Sequence, residues 1–289
     1  MHTGLKIAAV AAAAAATFGT AYGVGSGVAP VITENARERQ PAHETHDTGR
    51  AETETAAETV PGGLQVSDRG YTLDLERDRL PGPAGELRFT IRTGGRPLTS
   101  YETEHGKELH LIVASRDLTA YRHLHPVRAA DGTWSTPVSL PKAGDYRVFA
   151  DFTPRGATEG LTLGAGLGVA GTYAPAPLPE HSTTARVAGG YEVRVDGTLA
   201  AGAARELTLT VTKNGRPVTD LDPYLGAYGH LVALRAGDLA YLHVHPHDGG
   251  PGPEVSFTAT APSAGTYRLF LDFKHDGEVR TAAFTVHAA

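Results

Sequence analysis

The chain has no cysteine, so it contains neither disulfides nor thiolate metal sites, and thiol chemistry says nothing about its compartment. Its one methionine is the initiator, which removes the thioether ligands that suit Cu(I). Positive charge is not in surplus either. A formal net charge of -6 offers no general attraction to phosphate backbones, which excludes nucleic acid as a partner. No G-x-S-x-G, H-E-x-x-H or phosphate loop occurs, so the chain reads as a binding protein and not as an enzyme. Any metal it holds must sit on histidine, carboxylate or backbone.

Turn-forming residues are abundant. With 35 glycines and 19 prolines among 289 residues, short strands between turns are favoured over long helices. A hydrophobic share of 40% supports cores for two domains of about 100 residues each.

No charged residue falls between Lys6 and Glu34, and Ile7 to Phe18 is an apolar, alanine-rich run behind a short basic start. This is the pattern of an export signal. Gly19-Thr20-Ala21 offers a cleavage site after Ala21, while the uncharged stretch runs on to Ile32, long enough to span a bilayer. Residues 1–33 are therefore expected to form a hydrophobic helix, as a signal peptide or as a single-span anchor. Membrane contact is expected through this segment only. The remainder is then extracytoplasmic, either anchored to the cytoplasmic membrane and facing outward or secreted. Residues 34–62 are polar, acidic and without apolar periodicity, a disordered linker in which His43 and His46 are solvated.

Beyond the linker the chain repeats itself. Residues 95–126 align without a gap on residues 215–246, with 12 of the 32 positions identical. Chance alone gives about two such identities at ordinary residue frequencies. A second match, Ala143-Gly144-x-Tyr146-Arg147-x-Phe149-x-Asp151-Phe152 with Ala264-Gly265-x-Tyr267-Arg268-x-Phe270-x-Asp272-Phe273, extends the repeat over a whole domain. Alternating runs predict strands near Tyr71–Leu75, Leu87–Arg92, Leu109–Ala114, Thr119–His125, Trp134–Leu140, Tyr146–Phe152 and Leu161–Val169. Corresponding runs follow in the second copy. The expected fold is all-β: two tandem immunoglobulin-like, Greek-key β-sandwich domains, at residues 63–170 and 185–289. A proline-rich linker, 171–184, joins them.

Each copy carries a histidine, twelve intervening residues and His-x-His-Pro: His110 with His123 and His125, and His230 with His243 and His245. If Ala114 pairs with Thr119 across a four-residue turn, His110 lies opposite His123, with Cβ atoms about 5 Å apart. His125 shares the face of His123, because side chains alternate with period two. Three imidazoles so placed suit a divalent ion and leave a fourth position free. The expected cofactor is Cu(II) or Zn(II), taken for sequestration or delivery. The alternative is a structural or adhesive sandwich with hydrogen-bonded histidines, contacting another envelope protein. Asp151 and Asp272 are candidates for a fourth ligand or for acceptors from a histidine N–H. Glu104 and His105 occur only in the first copy and His247 only in the second. His181, His275 and His287 read as solvated, and Tyr146, Phe149, Tyr267 and Phe270 as core or sheet-face aromatics.

The segments His110-Leu111-Ile112-Val113 and His123-Leu124-His125-Pro126, with their second-copy equivalents, resemble those of exported actinobacterial proteins with tandem cupredoxin-like or immunoglobulin-like domains. That resemblance implies heavy-metal handling outside the cytoplasm. The absence of cysteine and internal methionine departs from the blue-copper and Cu(I)-chaperone patterns.

Removal of residues 1–60 is expected to leave a cooperatively folding protein, since the first core strand begins beyond Gly63. Loss of the thermal transition would refute that boundary.

Overall fold

The computed structural model describes residues 60–289 apart from His243. The expected helix at 1–33 and most of the linker at 34–62, with His43 and His46, lie outside the described residues. Among the described residues every regular element is a strand, and no helix is long and apolar enough to cross a membrane.

In the first repeat the main strands are β1 (Tyr71–Leu75), β2 (Ala84–Thr93), β3 (His110–Ser115), β4 (Tyr121–Leu124), β5 (Thr133–Ser139), β6 (Gly144–Phe152) and β7 (Leu161–Val169). Strands β1-β2-β5 form one sheet and β7-β6-β3-β4 the other, the immunoglobulin-like Greek-key arrangement. In the second repeat β8 (Tyr191–Asp196), β9 (Ala204–Lys213), β10 (His230–Arg235), β11 (Tyr241–Leu242), β12 (Glu254–Thr260), β13 (Gly265–His275) and β14 (Glu278–Ala288) form sheets β8-β9-β12 and β11-β10-β13-β14. Alternation builds each core. Leu87, Phe89 and Ile91 of β2 point inward with Trp134 and Val138 of β5, as do Leu207, Leu209 and Val211 of β9 with Phe257 of β12.

A third apolar cluster lies between the repeats. Strand β3 is buried on both faces: Leu111 and Val113 enter the first sandwich core, whereas Ile112 and Ala114 face outward. There they join Leu118, Tyr121 and Phe149, and meet Val232, Leu234, Leu239 and Phe270 of the second repeat. The Tyr121 ring stacks on Phe270 at 4.2 Å with an interplanar angle of 5°, and Phe149 meets Tyr241 at 5.7 Å. Tyrosine of each repeat thus packs on phenylalanine of the other. The chain entering the first repeat is held against the same sheet, where Arg147 donates to the carbonyls of Gly63 and Leu64 at 2.6 and 2.7 Å. Gly164 permits that crossing, since a Cβ there would sit 1.9 Å from the Gly63 oxygen.

The β3–β4 hairpin departs from the expected register. Ala114 pairs with Tyr121, Ile112 with His123 and Leu111 with Leu124, so His123 does not face His110 directly. The cause is side-chain chemistry in the turn. Ser115 Oγ accepts from the Ala120 N–H at 2.9 Å and donates to Asp117 at 2.6 Å, and Asp117 also accepts from Thr119 Oγ1 at 2.9 Å. These bonds hold open a longer turn with Leu118 at φ +55°. The displacement is two residues, a full pleat period, so every side chain keeps its face.

Replacing Phe270 by alanine should cost about 3–5 kcal/mol, the range for truncating a buried aromatic. Because its cluster belongs to both repeats, equilibrium denaturation should still show one transition, displaced to lower denaturant. A loss under about 1 kcal/mol would mean the interface contributes little.

Candidate metal centre

On the interface face each repeat carries a matched row of polar side chains at one edge of the apolar cluster. His110 of β3 pairs with Asp151 of β6, and Thr162 of β7 donates to that carboxylate at 2.7 Å. His230 of β10 pairs with Asp272 of β13, and Thr281 of β14 donates to it at 2.5 Å. His123 and His125 reach the same edge from the end of β4. The ligating nitrogens of His110, His123 and His125 lie within 4.8 Å of one another.

The surroundings fix which nitrogens point inward. His110 Nε2 lies 3.3 Å from the Glu104 carbonyl oxygen, which can only accept, so this nitrogen carries the proton and Nδ1 the lone pair. His123 Nδ1 lies 2.9 Å from Asp272 Oδ2 of the other repeat, so it donates and Nε2 carries the lone pair. These two lone-pair nitrogens, His110 Nδ1 and His123 Nε2, are 3.0 Å apart. Two lone pairs at that distance repel unless a positive body, a proton or a metal ion, lies between them. His125 Nε2 is buried beside them without a hydrogen-bond partner. The His123 and Asp272 side chains are only 5% and 3% exposed, and Asp272 also accepts from the Tyr121 hydroxyl at 3.3 Å. A carboxylate buried this deeply favours positive charge nearby.

Burial, reinforced by the neighbouring His123, pushes the His110 imidazole down to about 3. His125 is pushed down to about 4 by burial and then by His123. His230 also falls to about 4, chiefly through burial, against the opposing effect of its bond to the Tyr224 carbonyl. His110, His125 and His230 are therefore neutral near physiological pH, the form in which imidazole binds metal.

Of the expected second triad, His230 lies at the wall of the same cavity as His110 and His123, a space of about 710 Å³ also lined by His105, Asp151 and His245. His245 is exposed on the short strand Val244–Pro246, and His243 lies outside the described residues. Asp272 accepts from a histidine N–H, one of its two expected roles, yet the histidine belongs to the other repeat. His275 corrects the expectation of solvation: it is buried, with Nδ1 2.7 Å from the Tyr191 hydroxyl and Nε2 3.1 Å from Asp220. Its place in β13 beside the turn hid this. His181 and His287 are exposed and stack at 5.1 Å. Spacing within one repeat could not reveal the cross-repeat role of Asp272. The uninterrupted apolar runs Leu111–Ala114 and Leu231–Leu234 did carry a sign of it, since such runs mark strands covered on both faces.

The molecule is a tandem pair of immunoglobulin-like β-sandwiches with a histidine cluster at the seam between them. The chain belongs to the family described as Domain of unknown function (DUF8832), whose model matches residues 65–163 and again 185–289. No curated protein matches it. Among solved structures it is similar to the adhesin InvE of Yersinia pseudotuberculosis, at 13% identity and a TM-score of 0.24, over 77% of this chain and 60% of that one. It is also similar to domains 4 and 5 of the S-layer protein SbsC, at 13% identity over 78% of this chain and 99% of that one, with a TM-score of 0.24. The D0-D1 domain of intimin matches at 13% identity over 75% and 94% of the two chains, with a TM-score of 0.21.

The depressed imidazoles make a pH prediction with a definite sign. From the ordinary value of 6.5 down to about 3 or 4, the unfolded chain binds protons that the folded cluster refuses. Stability is therefore retained above 6.5 and lost as the pH falls through that window. The melting temperature of the metal-free protein should drop over this range, and a variant with His110 and His125 replaced by glutamine should lose part of the slope. An unchanged slope would place the pH dependence elsewhere.

Proposed function

We propose that this chain is an extracytoplasmic binding protein for a divalent metal ion, Cu(II) or Zn(II), held by His110, His123 and His125 for sequestration or delivery. The observation that carries this reading is the convergence of three imidazole nitrogens with no proton assigned between them. Two are directed inward by bonds to Glu104 and Asp272, and the third is buried and unpartnered. A metal ion satisfies all three at bonds of about 2 Å and offsets the buried Asp272 charge. The fourth position of such an ion is open to a water or to an acceptor's ligand. An extracytoplasmic setting is supported by the uncharged run from Ile7 to Thr33.

Imidazole donors favour Cu(II) over Zn(II) by the general order of divalent affinities. Calorimetric titration near neutral pH should show Cu(II) binding more tightly than Zn(II). Saturation should raise the melting temperature, equivalent to about 4 kcal/mol at a thousandfold excess over Kd. Replacing His123 by asparagine and His125 by alanine should remove the triad's equivalent of metal while the β circular dichroism is kept. The asparagine amide nitrogen occupies the place of His123 Nδ1 and can still donate to Asp272, and His125 Nε2 has no partner to lose. Equal binding by this variant would remove the triad from consideration. No binding by the wild type would leave the histidines as cross-braces of an adhesive sandwich pair.

A further inference from the structure

The histidines around the cavity fall into two groups by spacing. Two imidazoles sharing one tetrahedral ion, with metal–nitrogen bonds of about 2 Å, hold their ring centroids about 5 Å apart. The triad meets this condition: His110–His123 is 5.2 Å, His110–His125 5.3 Å and His123–His125 4.7 Å. Among the other histidines that line this cavity, His105 and His230 meet it too, since their rings are 5.2 Å apart and nearly perpendicular at 83°. Distances between the groups are longer: 6.2 Å for His110–His230, 6.1 Å for His123–His230 and 6.3 Å for His105–His110. His230 therefore sits poorly as a fourth ligand of the triad's ion and well as a partner of His105.

We infer that the cavity takes a second divalent cation, on His105 of the first repeat and His230 of the second, beside the ion on the triad. This rests on the reading of the triad as a metal site. His230 Nε2 donates to the Tyr224 carbonyl at 2.8 Å, which leaves Nδ1 as its ligating nitrogen. Asp151 and His245 line the same cavity. The loop that carries His105 is a tight turn closed by reciprocal backbone bonds between Glu104 and Lys107, with His105 and Gly106 at φ +50° and +74°. The second repeat makes the same turn with Leu225 and Gly226 at φ +54° and +75°. The fold does not need a histidine there, so His105→Leu copies a residue that this turn already accepts.

The test is a Cu(II) titration of the full-length chain, with bound copper counted after removal of free ion and electron paramagnetic resonance spectra recorded. Wild type should hold two equivalents and show dipolar coupling with a half-field line, because the two ions are only several ångströms apart. His105→Leu and His230→Gln should each hold one equivalent and lose the coupling. The variant with His123→Asn and His125→Ala should lose the other equivalent. A single wild-type equivalent that survives His105→Leu and disappears in the triad variant would overturn the second site and leave the triad standing. Two equivalents without coupling, or two in His105→Leu, would overturn it as well. No bound copper at all would remove both readings.

Discussion

Strand β3 has apolar side chains on both faces, and so does its counterpart β10. One face of each closes its own sandwich; the other cannot remain in water without exposing Ile112, Ala114 and Phe149, or Val232, Leu234 and Phe270. The two sheets answer this by packing on each other. Equivalent residues then meet across the seam, Tyr121 on Phe270 and Tyr241 on Phe149. The polar row one pleat period further along each strand is carried to the edge of the seam, where side chains are dry on one side and border a cavity on the other. The chemistry of the site is thus a consequence of where the apolar rows end.

Charge is what makes that edge specific. Asp272 is buried and receives hydrogen bonds from His123, Tyr121 and Thr281, while burial disfavours the charged form of His110 and His125 nearby. The arrangement has acceptors and lone pairs in excess of protons. The two halves have also diverged in the loops before β3 and β10, where Glu104-His105 aligns with Tyr224-Leu225. The first repeat therefore places an imidazole at the turn position where the second has an aliphatic side chain. The same backbone turn serves both.

Much of the fold could be read from pattern. Period-two alternation in Leu87-x-Phe89-x-Ile91 and Leu207-x-Leu209-x-Val211 marks strands with one buried face, and the offset repeat fixes two domains. The convergence of His110, His123 and His125 could also be read, because it depends only on alternation. Two things could not. The hairpin register depends on bonds among Ser115, Asp117 and Thr119, whose side chains compete with the ladder in ways that propensity does not predict. The role of Asp272 depends on tertiary packing between repeats, about which spacing inside one repeat is silent. His275 shows the same limit, since its partners Tyr191 and Asp220 are distant in sequence.

The error in register and the success in placing the triad have one cause. A hairpin that slips by one residue exchanges the two faces of a strand, which would have turned His123 into the first sandwich core and Leu124 into the seam. A slip of two residues moves side chains along the sheet by one pleat and leaves the faces intact. His123 consequently lies opposite Ile112, one pleat nearer the apolar cluster than expected, and that displacement brings its Nδ1 to Asp272. In the expected register it would stand opposite His110, one pleat further from the apolar cluster. The longer turn at Ser115 is therefore part of the site: it sets how far His123 reaches into the seam, and so which repeat supplies the carboxylate that fixes its tautomer.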